Sequence, residues 1–587
     1  MTSFLDLQSY IAELKKRGEL KEISVMVSAN LEIAEIHRRV ILEQGPALLF
    51  TNVAGSNFSV ATNLFGTKSR VDLAFGEAGK QFIQRVAKFP ETLLPPSIKK
   101  LWQEREPILQ GLKIGSKHLP FSRSSIAYKK LSPPQLDTLP VLKTWAEDGG
   151  PFFTLPLVYT EDPSSKIPNL GMYRLQRHSS DSTGIHMQIG KGGGFHLSRA
   201  KELGQKLPLN VFLGGPPAVI MGAIAPLPEN VPELFLASLM IGEKLKLTSL
   251  PDSPLPALAN AEFVLSGEVD ANDMLPEGPF GDHYGYYSLK HDYPVFRVKS
   301  LYHRKNAIYP ATVVGKPRQE DFFIGDYLQE LLSPVFPIVM PTVRDLWSYG
   351  ETGYHSLAAA VVKDRYKREA LVSGFRILGE GQLSLTKFLL LVDKPQELKD
   401  FKSVLTYILE RADFRTDLYI FSNVSMDTLD YSGPRVSEGS KGILLGVGHA
   451  IRELKREFSG SLPSGVTSAV VFSPGCLVVS GTAFSDDRKL GERVANYDGF
   501  KDFCLIILAD NAEKTASNVS YFLWSVFTRF EPAGDIIAKS LTLNRYHPTM
   551  EAPVVIDSRM KPWYPGELEC DPETERLVSS RWGEYGF

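Results

Sequence analysis

The sequence predicts a multidomain protein of mixed α/β and α+β class, with an N-terminal α/β domain, a central split β-barrel and a C-terminal α/β domain. Three observations carry that expectation. A chain of 587 residues exceeds what one hydrophobic core sustains. From Phe152 to Pro310 short strands and turn residues follow one another closely, which suits a barrel or split barrel better than a parallel sheet. From Ala311 onward apolar strands alternate with helical patterns, as in a separate α/β domain.

Taken in order, Leu5, Leu7, Tyr10, Ile11 and Leu14 recur at helical spacing, Gly18 is placed to end that helix, and ALLFTNV reads as a buried strand. LLPPSIKKLW carries a proline break and a further helix. LSPPQLDTLPVL, Leu131 to Leu142, is a linker or a wrapped segment, so the domains are set at 1–125, 126–315 and 316–587, the last with an extension. The central strands are interrupted by helical insertions at Leu197 to Leu207 and Val231 to Ile241. Further on, SLAAAVVKDRY reads as strand or helix, FLLLVD as a strand, ELKDFKSVLTYILERAD as a helix and LYIFSN as a strand. HAIRELKREF has the spacing of an amphipathic helix, AVVFSPGCLVVS and FCLIILAD read as strands, and PETERLVSSRWGEYGF places acids ahead of a helical pattern.

Composition excludes several classes. With 65 basic and 67 acidic residues, a formal charge of -2, no global field draws the chain to nucleic acid or to an anionic membrane. Cys476, Cys504 and Cys570 are odd in number and too widely spaced for a zinc motif or a disulfide framework, which suits a reducing cytosol. No apolar run reaches about 18 residues and the first twenty mix acids and lysines into their apolar pattern, so neither a membrane span nor a signal peptide is expected.

The chemistry gathers in two stretches. In PEGPFGDHYGYYS, Pro276 to Ser288, two carboxylates, Glu277 and Asp282, flank Gly278, Pro279, Phe280 and Gly281. Proline stops a helix there and glycine permits a tight turn, so both acids can face one cavity beside His283 and the tyrosines; the same residues also read as a surface turn before a strand. Two acids in one partly apolar site cannot ionise equally, and the less solvated one becomes a proton donor. In Lys166 to Ala200, Asn169, His178, His186 and His196 offer oxygen and imidazole ligands, with Glu233 further on. One amide, one imidazole and one carboxylate suit manganese or magnesium better than zinc; lone histidines on strands also serve as core or surface residues. KGGG, from Lys191, offers backbone amides to a phosphate or forms a flexible hairpin. Arg174 is placed to clamp a substrate carboxylate or to pair with Glu277, unless it makes only a surface ion pair.

Together, NLGMYRLQ, STGIHMQIGKGGGFH, LGGPPAVIMGAIAPLPENVPE, PEGPFGDHYGYYS, GELKEI, LSLTKFLLLVD and WYPGELECDPE resemble the UbiD family of decarboxylases over nearly the whole chain. The resemblance implies reversible, non-oxidative decarboxylation of aromatic or α,β-unsaturated acids with prenylated FMN, which a flavin prenyltransferase supplies. It also implies a divalent metal at the cofactor phosphate, usually manganese (Mn2+), with potassium (K+) nearby. Asn169, His196 and Glu233 match the metal ligands, with His186 the main competitor to His196. Met172, Tyr173, Arg174, His186, Met187, Gln188, Lys191 and Gly192 match cofactor contacts, and Lys387 resembles a further phosphate contact. Arg174, Glu277 and Asp282 match the catalytic triad, although the acid at 282 is Glu in some members. The family plan implies a homodimer or homohexamer joined through the C-terminal domain.

The chain is longer than the shorter members, mostly between Ser432 and about Ser520. That length and GSKGILLG, Gly439 to Gly446, look like the subgroup linked to menaquinone made by the futalosine route, with a prenylated 1,4-dihydroxy-6-naphthoate as substrate. The alternative is 3-polyprenyl-4-hydroxybenzoate in ubiquinone synthesis. A catalytically inactive flavin-binding assembly protein would show a broken triad, and a metal-dependent hydrolase would need no flavin. The expected location is the cytoplasm, with peripheral contact to the inner membrane through a lipid substrate. Glu277 is expected to stay ionised against Arg174, whereas Asp282, with no fixed partner in the motif, is expected to have a raised pKa.

Overall fold

The computed structural model describes residues 4–88, 113–187, 192–227, 232–316 and 318–587; LLPPSIKKLW, Gln188 and Lys191 lie outside them. The chain folds as two compact units, Met1–Leu331 with Gly566–Phe587, and Leu332–Pro565. The expected boundary near 125 falls within the first of these units. A four-stranded sheet runs Leu20–Ile23, Ala47–Phe50, Ser59–Thr62, Ile308–Pro310, so its last strand comes from the far end of the central region.

The helix Leu7–Lys16 buries Leu7, Tyr10, Ile11 and Leu14, the expected face, and the Asp6 side chain caps its first turn. The seven-stranded sheet that carries the site runs Ser182–Gly184, His291–His303, Phe263–Glu277, Leu207–Leu213, Leu157–Glu161, Pro168–Met172, with Lys129–Leu131 pairing His291–His303. Its first and last strands do not pair among the described residues, so no closed barrel forms among them. The helix Gly192–Glu202 covers one face, with Leu197 and Ala200 in the same core as Leu209, Val211 and Leu265. The sequence placed that helix later and left its glycine run as a possible hairpin; the glycines instead form the first turn. Leu131 to Leu142 is a wrapped segment, since Leu136, Leu139, Val141 and Leu142 are all buried.

The other unit holds two five-stranded sheets. One runs Val343–Ser348, Leu357–Val362, Phe388–Val392, Glu438–Gly446, Leu418–Ser425. The second runs Val466–Ser473, Cys476–Gly481, Leu505–Ala509, Val554–Asp557, Ile536–Ala538. SLAAAVVKDRY therefore resolves into a strand. HAIRELKREF does not form the expected helix. Ile451 is left 56% exposed, while Arg452 donates to the carbonyls of Leu409 and Ala412 and caps the end of the helix Phe401–Arg411. The backbone also pairs outside the segment, with Ile451 N–H donating to the Glu410 carbonyl and the Lys455 carbonyl accepting from Gly475 N–H, both at 2.8 Å, in place of bonds within a helix at 449–458.

Residues 566–587 return to the first unit instead of completing the second. There the helix Pro572–Ser580 lies against the helix Glu32–Leu42, and the Tyr585 hydroxyl donates to Glu32 at 2.7 Å. No helix among the described residues is long and apolar enough to cross a membrane.

Candidate active site

Two long antiparallel strands, Phe263–Glu277 and His291–His303, pair down to Glu277 opposite His291, and the acidic loop closes them. Gly278 adopts φ +93°, a conformation that favours glycine, and its N–H donates to Gln176 at 2.8 Å. Gly281 lies so close to the Trp145 indole that a Cβ would stand 2.1 Å from its ring, and its N–H donates to Asp148 at 2.7 Å. Asp148 also accepts from the backbone of Thr144 and Trp145, so one buried carboxylate ties the TWAEDGG turn to the acidic loop. Residues beyond the second unit finish the clamp: Tyr287 N–H donates to the Gly566 carbonyl and Leu568 N–H to that of Gly285, both at 3.0 Å.

Arg174 follows the strand Pro168–Met172 and lies over the Phe280 ring, 4.7 Å from its centroid. Its Nε donates to Glu277 Oε1 at 3.0 Å, its Nη2 to Ser288 Oγ at 3.2 Å, and its Nη1 to Asp282 Oδ2. His186 Nδ1 meets Glu277 Oε2 at 2.8 Å, with its ring against that of Tyr293, 4.3 Å between centroids and tilted by 33°. His283 Nδ1 meets Asp282 Oδ1 at 2.6 Å, and its backbone N–H donates to the same oxygen at 2.7 Å. The result is one line of contacts: His186, Glu277, Arg174, Asp282, His283.

The electrostatics follow from that line. Burial opposes ionisation of Glu277, but Arg174 and His186 outweigh it and hold the carboxyl below its ordinary value, as expected. For Asp282 the expectation is overturned. Burial again opposes ionisation, yet the His283 hydrogen bonds and Arg174 hold this carboxyl far below the usual range. The motif concealed the reason: Arg174 is shared by both acids. Burial and the Arg174 charge both push His186 down, so it is a neutral imidazole donating to Glu277.

The residues expected to hold the metal lie near one sheet end. Asn169 sits opposite Thr160 on paired strands, and Asn169 Nδ2 donates to Glu233 Oε1 at 2.9 Å. Leu170 N–H donates to Glu233 Oε2 at 3.0 Å. His196, on the glycine-headed helix, hydrogen-bonds Thr160 Oγ1 through Nδ1 at 2.9 Å. A Cβ at Gly192 would stand 2.5 Å from Asn169 Nδ2, so glycine lets the helix start rest on that amide. Burial raises the Glu233 carboxyl, and no ion pair to it occurs among the described residues. An amide, an imidazole and a carboxylate short of a cation fit a divalent metal of the manganese or magnesium type. No group of three or more His, Cys, Asp or Glu placed to hold a metal ion occurs among the described residues; this set reaches three only through the asparagine.

Other expected contacts divide. Tyr173 Oη accepts from Gly193 N–H at 3.1 Å and donates to Asn169 Oδ1 at 3.3 Å, joining helix and strand, while Met172 and Met187 pack into the cores on either side. His186, expected among the cofactor contacts, is engaged by Glu277. Lys387 lies in the second unit, 1% exposed, with Nζ 2.7 Å from Asp430 and 3.2 Å from Ser432 Oγ. These described contacts are internal to that unit and hold the ammonium in a buried ion pair. The sequence reading missed Asp148, Gln176 and Ser288. Asp148 had one signal, an acid just ahead of a Gly-Gly turn; the other two are visible only once the strands are paired.

Three family models cover most of the chain. Those of 3-octaprenyl-4-hydroxybenzoate carboxy-lyase match residues 11–89 (N-terminal domain), 119–317 (Rift-related domain) and 322–446 (C-terminal domain). A Chlamydia pneumoniae protein, named as one of the subunits of a 4-hydroxybenzoate decarboxylase, is 50% identical over 579 residues, 99% of this chain and 98% of its own length. The closed form of Sedimentibacter hydroxybenzoicus vanillic acid decarboxylase aligns with TM-score 0.67 and 22% identity, over 79% of this chain and 97% of that one. An evolved dimeric form of the UbiD-class enzyme HmfF from Pelotomaculum thermopropionicum, in complex with prFMN, gives 0.61 and 22% identity, over 76% and 95%. Fold and sequence are thus those of a carboxy-lyase. The chain belongs to the UbiD family of decarboxylases. Its second five-stranded sheet begins at Val466, after the last matched residue.

Proposed function

We propose that the chain is a prenylated-FMN-dependent, non-oxidative decarboxylase of a prenylated aromatic acid in quinone biosynthesis, acting on a prenylated 1,4-dihydroxy-6-naphthoate on the way to menaquinone. The observation that carries the decarboxylase reading is Arg174 held between Glu277 and Asp282 in a buried site. The length beyond Ser432 and the GSKGILLG stretch support the naphthoate substrate. The name of the Chlamydia pneumoniae relative favours a second reading, a 4-hydroxybenzoate such as its 3-polyprenyl form.

Arg174 binds the substrate carboxylate, its guanidinium kept in place by Glu277, and Glu277 is in turn fixed by His186. Asp282 protonates the carbon from which carbon dioxide departs. Prenylated FMN, when bound, supplies the ring system that accepts the electrons released in that departure. Asn169, His196 and Glu233 would hold manganese at the cofactor phosphate. Tyr284, 1% exposed, and Phe280, 4% exposed, keep water from the acids and so strengthen their contacts with Arg174. The protein is proposed to be a homo-oligomer.

Mass spectrometry of the cofactor in the purified protein, followed by assay against both prenylated acids, tests the proposal. Prenylated FMN with carbon dioxide release from one acid is the expected result. A protein without flavin absorption, or one loaded with prenylated FMN and inert towards both acids, would refute it.

A further inference from the structure

Resting on the decarboxylase reading, a second question concerns protons. Asp282 is a carboxylate in the site described, and a carboxylate has no proton to give. Its two oxygens have separate partners: Oδ2 faces Arg174, and Oδ1 faces the ring and backbone of His283. The two histidines of the contact line also differ. His186 meets a Glu277 side chain that is 0% exposed and is itself 11% exposed, so it is sealed in. The His283 side chain is 28% exposed against 11% for Asp282, and water reaches it first. Its ring is set edge-on to Tyr284 at 5.0 Å, which fixes the direction of Nδ1.

We propose that His283 delivers the proton that Asp282 gives to the product carbon. A substrate carboxylate on Arg174 competes for the cation that Oδ2 otherwise holds, and the proton affinity of Asp282 rises as that cation is shared. The Nδ1–H bond of His283 then breaks and an O–H bond forms on Oδ1, while the ring is reprotonated from solvent as a water O–H bond breaks, the hydroxide left behind combining with the released carbon dioxide as hydrogencarbonate. The O–H bond next breaks, and its proton joins the electron pair left by the lost carboxylate to make the new C–H bond. One solvent proton enters the product for each carbon dioxide released. Among the described residues, the charged groups around His283 include Asp282 in its own loop, with Arg174 beyond that acid, and Asp321 at the start of the helix Glu320–Leu332. Burial pushes Asp321 up to about 7, which leaves a second carboxyl able to exchange protons near neutrality on that side.

The test compares the holoenzyme with H283A and H283Q, using whichever of the two prenylated acids the parent turns over, together with 15N-histidine NMR titrations of the parent and D282N. Both His283 variants should lose on the order of 10²-fold in kcat with little change in KM, and added imidazole should restore part of the H283A rate. In the NMR spectra the His283 titration should move to lower pH in D282N, because a facing carboxylate has been removed. Parent-like kcat in H283Q would overturn the proposal, since the glutamine amide can hold Asp282 in position but cannot carry a proton. A His283 titration unmoved by D282N would also overturn it, and that reading needs no turnover. A holoenzyme inert towards both acids would count against the decarboxylase reading, leaving the titration to decide the proton link.

Discussion

Glu277 and Asp282 share one arginine but are assigned different tasks, so isosteric amides should separate them. Asp282→Asn keeps the size and removes the carboxylate that passes the proton on; cofactor binding and carbon dioxide release should survive while protonation stalls, lowering turnover by roughly 10²- to 10⁴-fold. Glu277→Gln keeps the size and loosens Arg174, and should weaken catalysis through the carboxylate clamp. Rapid-quench analysis with solvent deuterium distinguishes them, and an Asp282→Asn enzyme running at the parent rate with deuterium in the product would remove Asp282 from its role. The types of residue needed were legible in the sequence, because two acids around a Gly-Pro turn state their chemistry locally. Their protonation was not. Arg174 reaches Asp282 from 108 positions away, and which acid meets which cation is decided by strand register, on which a motif is silent.

Whole elements deliver the residues proposed to hold the metal, and this makes the two candidate histidines separable. His196 is presented by a helix whose glycine start rests on Asn169, whereas His186 is occupied by Glu277. Metal analysis should show manganese affinity lowered tenfold or more in His196→Ala, about the effect of losing a supporting residue or greater, with His186→Ala near the parent value. The reverse pattern would exchange the assignment. The acidic loop makes a second element-scale prediction. At Gly281→Ala the new methyl would meet Trp145, and overpacking of this kind costs about 1–3 kcal/mol, read as a lower urea midpoint. An unchanged midpoint would mean that the loop can move away from the indole. Apolar spacing located the strands and the helix Phe401–Arg411 because those elements bury the face it marks. It failed at His449 to Phe458, where Leu454 packs on the core but Arg452 is drawn to carbonyls of a neighbouring helix.

For the molecule as a whole, a homo-oligomer joined through residues after about 315 is expected; a monomer by light scattering at micromolar concentration would contradict it. Stability should also carry a pH signature from a group outside the site. Glu262 is 0% exposed and burial pushes it up to about 7 from 4.5, even though Arg304 donates to it at 3.1 Å. Between those values the folded chain holds a proton that the unfolded chain releases, so stability falls as pH rises through the window, by on the order of 3 kcal/mol. Urea titrations should show that slope in the parent and lose it in Glu262→Gln. Glu277 and Asp282 act oppositely: their lowered values add stability above the ordinary carboxylate range, and it is lost as pH falls. The α/β character and the strand-rich centre could be read from periodicity. The grouping into two units could not, because it depends on Ile308–Pro310 pairing with Ser59–Thr62 and on the return of residues 566–587, contacts between segments with no local signal.

That return orders events during synthesis. Tyr287 and Gly285 receive their backbone partners from Gly566 and Leu568, residues that leave the ribosome only after all of the second unit has been translated. The acidic loop of a nascent chain stalled at any point before residue 566 therefore lacks its final two hydrogen bonds, even with every residue of the acid-arginine line already made. Such a chain should acquire the native protease resistance of the Gly285 to Tyr287 turn only when a peptide spanning residues 566–587 is added in trans or translation resumes.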